Sequence, residues 1–187
     1  GFGQGVQGLI AYAKNYGVNL SDEMATRCVN VYRETFTAIT GGRFRHKDGL
    51  WQREFAFALA NGYTELPTGR RLYYPNLRKD GDEYVFTKHE IFMRDTMFPR
   101  LWPGLTIENL VQATARDLVF TQVLDILGKY PEADLCLLVH DEAVFSVPED
   151  KAEEIMAYAE VAFRTPPAWA SDIPVKGEGH ISDRYDK

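Results

Sequence analysis

Three ionisable side chains stand together in LLVHDEAVFSV, residues 137–147: His140, Asp141 and Glu142. Apolar, strand-like runs enter and leave them. A bend between two anchored strands can point adjacent side chains outward on a rigid mount, and hard divalent cations prefer carboxylate oxygen. One aspartate is too little for tight Mg2+ binding, because such sites combine one or two carboxylates with water and substrate phosphates. A second carboxylate must therefore come from elsewhere. A solvated hairpin tip has the same composition; the long apolar flanks and the preceding histidine favour a mount.

A second stretch is ENLVQATARDLV, residues 108–119. On a helix, Glu108, Gln112, Ala115 and, more loosely, Arg116 share one side at i, i+4 and i, i+7/i+8 spacing. Small Ala113, Thr114 and Ala115 surround Gln112 and would let a large partner approach closely. Glutamine and asparagine suit hydrogen bonding to base edges and minor-groove acceptors. A third stretch, Gly3-Gln4-Gly5-Val6-Gln7-Gly8, matches GxGxxG. That fingerprint has meaning only at a strand-to-helix turn with an acidic residue about twenty positions on. No strand precedes it here, and Glu23 is better explained as a helix-capping residue, so a dinucleotide site is not expected.

The elements that must position these groups are readable from local chemistry. Residues 1–16 are Gly-rich and then helix-compatible. Ser21 is an N-cap with Asp22 and Glu23 in the first turn, and Met24, Cys28, Val31 and Tyr32 recur at helical spacing. Residues 43–60 read as a second helix with Leu50, Phe55, Phe57 and Ala58 inward. Pro67-Thr68-Gly69 and Asp80-Gly81 are hairpin turns. From about Lys88 to Arg100 the pattern is helical, and Pro103-Gly104 interrupts it. Thr106 caps a long helix to Tyr130 with Ile107, Leu110, Val111, Leu118, Leu124 and Leu127 apolar. Two strands flank Asp141, a helix starts at Glu149 or Asp150 and runs to about Phe163, and Val175 lies in a last strand. Helices grouped with antiparallel strands make an α+β fold, helices packed on a small antiparallel sheet.

The chain has 187 residues, 45% hydrophobic, 13% aromatic and 26% charged, which is the composition of a globular protein with a sizeable core. A formal net charge of -6 gives no bulk signature of a nucleic-acid binder, although a local basic face can coexist with it. Cys28 and Cys136 have no CxxC partner and read as reduced, mostly buried thiols of a cytosolic-type protein. No window reaches the roughly 18 apolar residues of a membrane span. His46, His89 and His180 are too far apart to suggest metal spacing, and Trp51, Trp102 and Trp169 read as packing residues. The chain opens without an initiator Met on what reads as the middle of something, so it is expected to be the C-terminal portion of a longer protein.

Taken together, the stretches resemble family A DNA polymerases of phage type. LLVHDEAVFSVPE looks like the family's motif C, and ENLVQATARDLV resembles the glutamine-bearing helix of its palm. ELPTGRRLYYP is similar to the segment between fingers and palm, GFGQGVQGLIAYA to the end of motif B, and VKGEGHISDRYDK to the C-terminus of phage-type members. The resemblance implies a polymerase palm with part of the fingers, residues 1–66 being fingers and 67–187 palm. It implies a template-directed polymerase that joins dNTPs to a primer 3′-OH with two Mg2+ ions. The implied partners are primer-template DNA and dNTPs, with no membrane, in a monomer of the bacterial or phage-infected cytoplasm.

By the same resemblance Asp141 matches the catalytic, metal-binding aspartate and Glu142 its supporting acidic neighbour. His140 matches a residue near the primer terminus and Gln112 the minor-groove sensor. Glu108, or Asn109 if the register slips by one, lies on the same side. Arg70 could contact DNA backbone or pair with a local acid. Gln4 and Phe2 match the place near the template base and incoming nucleotide. The motif A aspartate and the triphosphate-holding Arg and Lys of motif B would lie upstream of Gly1, so residues 1–187 alone are expected not to polymerise. Two other classes remain: another two-metal phosphodiester enzyme such as a nuclease, which would need Asp117 or Asp183 to approach Asp141, and a non-catalytic DNA-binding module.

Overall fold

Ser21 caps the helix that follows it, as its chemistry requires. In this computed structural model, which describes residues 5–42, 49–89 and 96–185, Ser21 is extended and its Oγ accepts the Met24 N–H at 3.2 Å. Helix α1 spans Val6–Asn15 and α2 spans Asp22–Thr35. The buried stripe of α2 is Ala25 and Val29, while Met24 and Val31 are 49% and 53% exposed. This stripe is one residue, about 100°, away from the expected Met24–Cys28–Val31 stripe. Cys28 lies on the outer side, and Cys136 is exposed as well, so neither thiol is buried as expected.

Helix α3, Thr37–Thr40, ends on buried Thr40, whose hydroxyl donates to a carbonyl of Arg33 or Phe36 and accepts the Gly42 N–H. Helix α4 spans Leu50–Asn61, and the rest of the expected helix, residues 43–48, lies outside the described residues. It buries Trp51 and Ala58 and leaves Phe57 at the surface. Trp102 is exposed, so aromatic packing holds for the first tryptophan and fails for the second.

Two hairpins follow where turn chemistry demands them. Strands β1 (Tyr63–Glu65) and β2 (Arg71–Tyr73) pair around Pro67-Thr68-Gly69, the loop into which the 66/67 position falls. Strands β3 (Arg78–Asp80) and β4 (Glu83–Val85) pair around Gly81-Asp82, with Gly81 at φ 59°. The expected helix over 88–100 is overturned at its described residues, 88–89 and 96–100, while residues 90–95 lie outside them. Strands β5 (Lys88–His89) and β6 (Thr96–Met97) pair with each other, and β7 (Arg100–Leu101) pairs with β4. Residues before proline are pushed toward extended conformations, and Phe98 and Trp102 both precede one. Leu101 is buried with Ala58 and Tyr74, and the Phe86 N–H donates to the Pro99 carbonyl at 3.2 Å. Strand pairing and burial thus override a short helical pattern.

Helix α5 is continuous over Pro103–Lys129. Pro103 takes the first helical position, where its missing N–H costs nothing. Thr106 is inside the helix rather than capping it, and its hydroxyl donates to the Trp102 carbonyl at 3.2 Å. The chain divides into two compact units, residues 1–111 and 112–187, and α5 runs from one into the other.

The second unit contains β8 (Asp134–Val139), β9 (Glu142–Ser146), a 3-10 turn at Glu149–Lys151, α6 (Ala152–Arg164) and a 3-10 turn at Ala168–Ala170. The expected strand at Val175 is instead irregular chain. Ile126 of α5 is fully buried against Ala159 and Ala162 of α6, with Phe145 of β9 packed on them. Tyr130, Ala133 and Ile155 form an adjacent cluster that Val147 joins. Buried Gln122 donates its amide N–H groups to the carbonyls of Phe163 and Thr165, each at 3.3 Å, and so closes the C-terminal end of α6. Among the described residues every strand pair is antiparallel and the strands fall into four small sheets, so the fold is α+β with its sheet divided. None of the described helices is long and apolar enough to cross a membrane.

The inward side of α5 is set by Val123 and Ile126; Leu124 is 63% exposed, against the sequence expectation. Ile126→Ala is expected to lower the unfolding free energy by about 2–4 kcal/mol. Leu124→Ala should stay within about 0.5 kcal/mol of the parent. Urea denaturation of the two variants checks both values.

Candidate active site

Strands β8 and β9 meet in register at Val139 and Glu142, which leaves His140 and Asp141 as a two-residue turn. His140 has φ 56°, and Asn76 is the other described non-glycine residue with positive φ. Positive φ at the first turn position alone is the sign pattern of a type II′ turn, which matches the twist of paired strands and prefers glycine there. A side chain in that conformation costs about 1–2 kcal/mol. Backbone strain of this kind persists only where surrounding structure enforces it, and it concentrates at functional sites. The enforcement is visible: five residue pairs hold β8 to β9, and Phe145 and Val147 anchor β9 and the chain after it in the two apolar clusters.

The register slips by one between Leu135 and Leu137, so Cys136 is the extra residue of a β-bulge. Bulges add twist and re-aim the residues beyond them. Here the residues beyond are those that lead into the turn. His140 and Asp141 are exposed, and Glu142 is half-buried. Glu142 Oε2 accepts the hydroxyl of Tyr185 at 3.1 Å. Partial desolvation, and then the Glu142 carboxylate, raise the Tyr185 pKa above the ordinary phenol value. The hydroxyl is therefore a donor at neutral pH. Tyr185 carries no signal in the sequence, because it lies 43 positions from the glutamate it meets.

The other expected residues are distributed along the chain. Glu108 and Asn109 are half-buried on the part of α5 in the first unit, and Asn109 Nδ2 donates to the Tyr74 hydroxyl at 3.5 Å. Gln112 is exposed on the part of α5 in the second unit. Arg116, one turn further on, lies over its own neighbour Phe120 at 4.9 Å. Arg70 is exposed beside the β1–β2 loop, while Arg71 bonds Glu65 at 3.0 Å and stacks on Tyr63 at 4.5 Å. Phe2 and Gln4 lie outside the described residues. Among the described residues no three His, Cys, Asp or Glu side chains converge as a metal cluster, which is the arrangement a nuclease built on Asp141 with Asp117 or Asp183 would need.

The family model for DNA polymerase family A matches residues 2–187. The chain belongs to DNA polymerase family A. It is 35% identical over 133 residues to the DNA polymerase of Bacillus phage SP02, a match that covers 67% of this chain and 19% of the phage protein. It is 32% identical over 119 residues to the thermostable DNA polymerase I of Thermus filiformis, covering 63% of this chain and 12% of that protein. The chain thus spans under a fifth of the length of these relatives. Among solved structures it is similar to the POL domain of Pol1 from M. smegmatis, in complex with DNA primer-template and dNTP, with TM-score 0.60 and 21% identity over 94% of this chain and 26% of that one. That likeness supports the α+β polymerase-domain fold.

In this family A chain the left-handed turn makes a prediction of its own. Glycine normally destabilises relative to alanine. At His140 the order should reverse, with His140→Gly more stable than His140→Ala by about 1 kcal/mol. Thermal unfolding of the two variants measures the difference.

Proposed function

We propose that this chain carries the motif C half of the catalytic site of a template-directed DNA polymerase. The reaction is attack of a primer 3′-hydroxyl on the α-phosphate of a dNTP, with a new phosphodiester bond formed and pyrophosphate released. The observation that carries the reading is the enforced turn, which sets the Asp141 carboxylate at an exposed tip on two paired strands in a family A chain. Residues 1–66 would form part of the fingers and 67–187 part of the palm.

Asp141 offers hard carboxylate oxygens and fits one side of a Mg2+ site, while Glu142 has one oxygen engaged by Tyr185 and serves in support. Two such ions, when bound, would neutralise the transferring phosphoryl group and activate the 3′-hydroxyl. A further carboxylate is required, and the family resemblance assigns it to a motif outside residues 1–187. His140, next to the aspartate, would lie at the primer end. Exposed Gln112, with Glu108 and Asn109 on the same helix, would reach minor-groove acceptors, which every correct pair presents at similar positions. That contact tests the shape of the pair without reading sequence. Arg70 would contact backbone phosphate, and Gln4 and Phe2 would lie by the template base and the nucleotide. The partners are primer-template DNA and dNTPs, and the working protein is a monomer in the cytoplasm of a bacterial or phage-infected cell.

In the full-length polymerase, Asp141→Ala should cut the single-turnover extension rate by at least about a thousandfold, the effect of losing roughly 4 kcal/mol of transition-state stabilisation. Primer-template affinity should stay within about twofold, since base and phosphate contacts lie elsewhere. Equal losses in rate and affinity would refute the metal role. Gln112→Ala should lower extension efficiency about tenfold and change the misincorporation spectrum with no change in melting temperature. An unaltered spectrum would refute the minor-groove role.

A further inference from the structure

Beyond the 3-10 turn at Ala168–Ala170 the described chain has no regular structure, yet it is fixed at several points to the elements that carry the turn. Arg164, at the end of α6, donates its Nε–H to the Gly177 carbonyl at 2.9 Å. Gly177 runs so close to α6 that a Cβ there would meet the Cβ of Phe163 at 2.4 Å. A Cβ on Gly179 would meet the Met156 sulfur at 2.8 Å. A side chain at Gly177 would lift the segment off the helix, whereas at Gly179 the flexible end of Met156 could give way. A cavity of about 80 Å³, lined by Ala143, Phe145, Met156, Phe163, Gly177 and Gly179 among others, lies against β9, α6 and the segment. The segment is therefore held at discrete points and is not an extension of the core. Beyond them it returns to the hairpin, where Tyr185 meets Glu142.

We propose that residues 175–185 form a strap whose end, Tyr185, is a positioning residue: its hydroxyl holds the Glu142 carboxylate and thereby fixes the base of the turn that presents Asp141. The proposal rests on the motif C reading above. Tyr185 touches neither the reacting atoms nor Asp141. It acts on Glu142, whose backbone pairs with Val139 and closes the two-residue turn. A carboxylate with one oxygen engaged loses rotational freedom, and a hydrogen bond to a charged group at a partly exposed site is worth a rate factor of about 3–10 if it is needed in the transition state.

The test uses the full-length polymerase, with single-turnover incorporation rate, dNTP and primer-template affinity, and melting temperature measured for each variant. Tyr185→Phe keeps the ring and removes the donor. It should slow incorporation about 3- to 10-fold at saturating dNTP, with both affinities and the melting temperature unchanged. In a Glu142→Ala background the same change should have no further effect, because its target is gone. Gly177→Ala, which displaces the strap, should slow incorporation by the same factor, with no added loss when combined with Tyr185→Phe. Independent, multiplying effects of Tyr185→Phe and Glu142→Ala would overturn the proposal, as would a lowered melting temperature in Tyr185→Phe with the rate unchanged. Asp141→Ala measured alongside separates the two readings. If it abolishes extension while Tyr185→Phe runs at the parent rate, the strap's role is overturned and the catalytic assignment stands. If Asp141→Ala extends normally, the catalytic assignment itself falls, and the strap proposal with it.

Discussion

A histidine held at φ 56° in a two-residue turn is the constraint around which the second unit is arranged. The chain could relax it by placing glycine there or by lengthening the loop, and it does neither. A longer loop would let Asp141 wander, and the catalytic role proposed for its carboxylate requires it to be held within about half an ångström of its working position. The turn is kept short by pairing up to Val139 and Glu142, and the packing of Phe145 and Val147, two residues apart, on the clusters behind it keeps the pairing in register. Apolar burial by Phe145 and Val147 thus works against backbone strain at His140.

The rest of the unit serves that opposition. Ile126 and the alanines of α6 leave room for Phe145 to seat between two helices. Gln122 crosses from α5 to satisfy the last carbonyls of α6, so the two helices are joined by polar as well as apolar contacts. The same α5 exposes Gln112 nearer its start. One helix therefore carries both the exposed residue proposed to meet the DNA minor groove and the apolar face that backs the hairpin, which couples the placement of the two groups to a single element.

How much of this was legible in the sequence follows from where the governing interaction lies. The hairpins at Pro67-Thr68-Gly69, at Gly81 and at His140-Asp141 could be read because turn chemistry is local, and so could the Ser21 cap. Asp141 stood out because charge in an apolar run is rare. The segment from Lys88 to Arg100 could not be read, because β7 is extended by its pairing with β4 and by burial of Leu101, both of them tertiary facts. In the sequence Pro103 reads as an interruption, although proline also opens helices, as it does here at the first position of α5. The outward position of Leu124 is not legible either, since which apolar residue of the Val-Leu-Asp-Ile-Leu run faces out depends on which neighbour covers the helix. Cys28 and Cys136 stand at the surface because the stripe of α2 and the bulge of β8 turn them outward. The bond between Tyr185 and Glu142 leaves no local trace at all.

The central claim is that Asp141 faces a divalent cation at the hairpin tip. Iron-directed cleavage tests it most directly. Fe2+ would replace Mg2+ in the full-length polymerase bound to primer-template and a non-incorporable dNTP, with ascorbate and peroxide added to cut backbone near the metal. The account predicts a cut within residues 139–142 that excess Mg2+ suppresses and Asp141→Ala abolishes. Cleavage that leaves this hairpin intact while cutting elsewhere in the polymerase would contradict it.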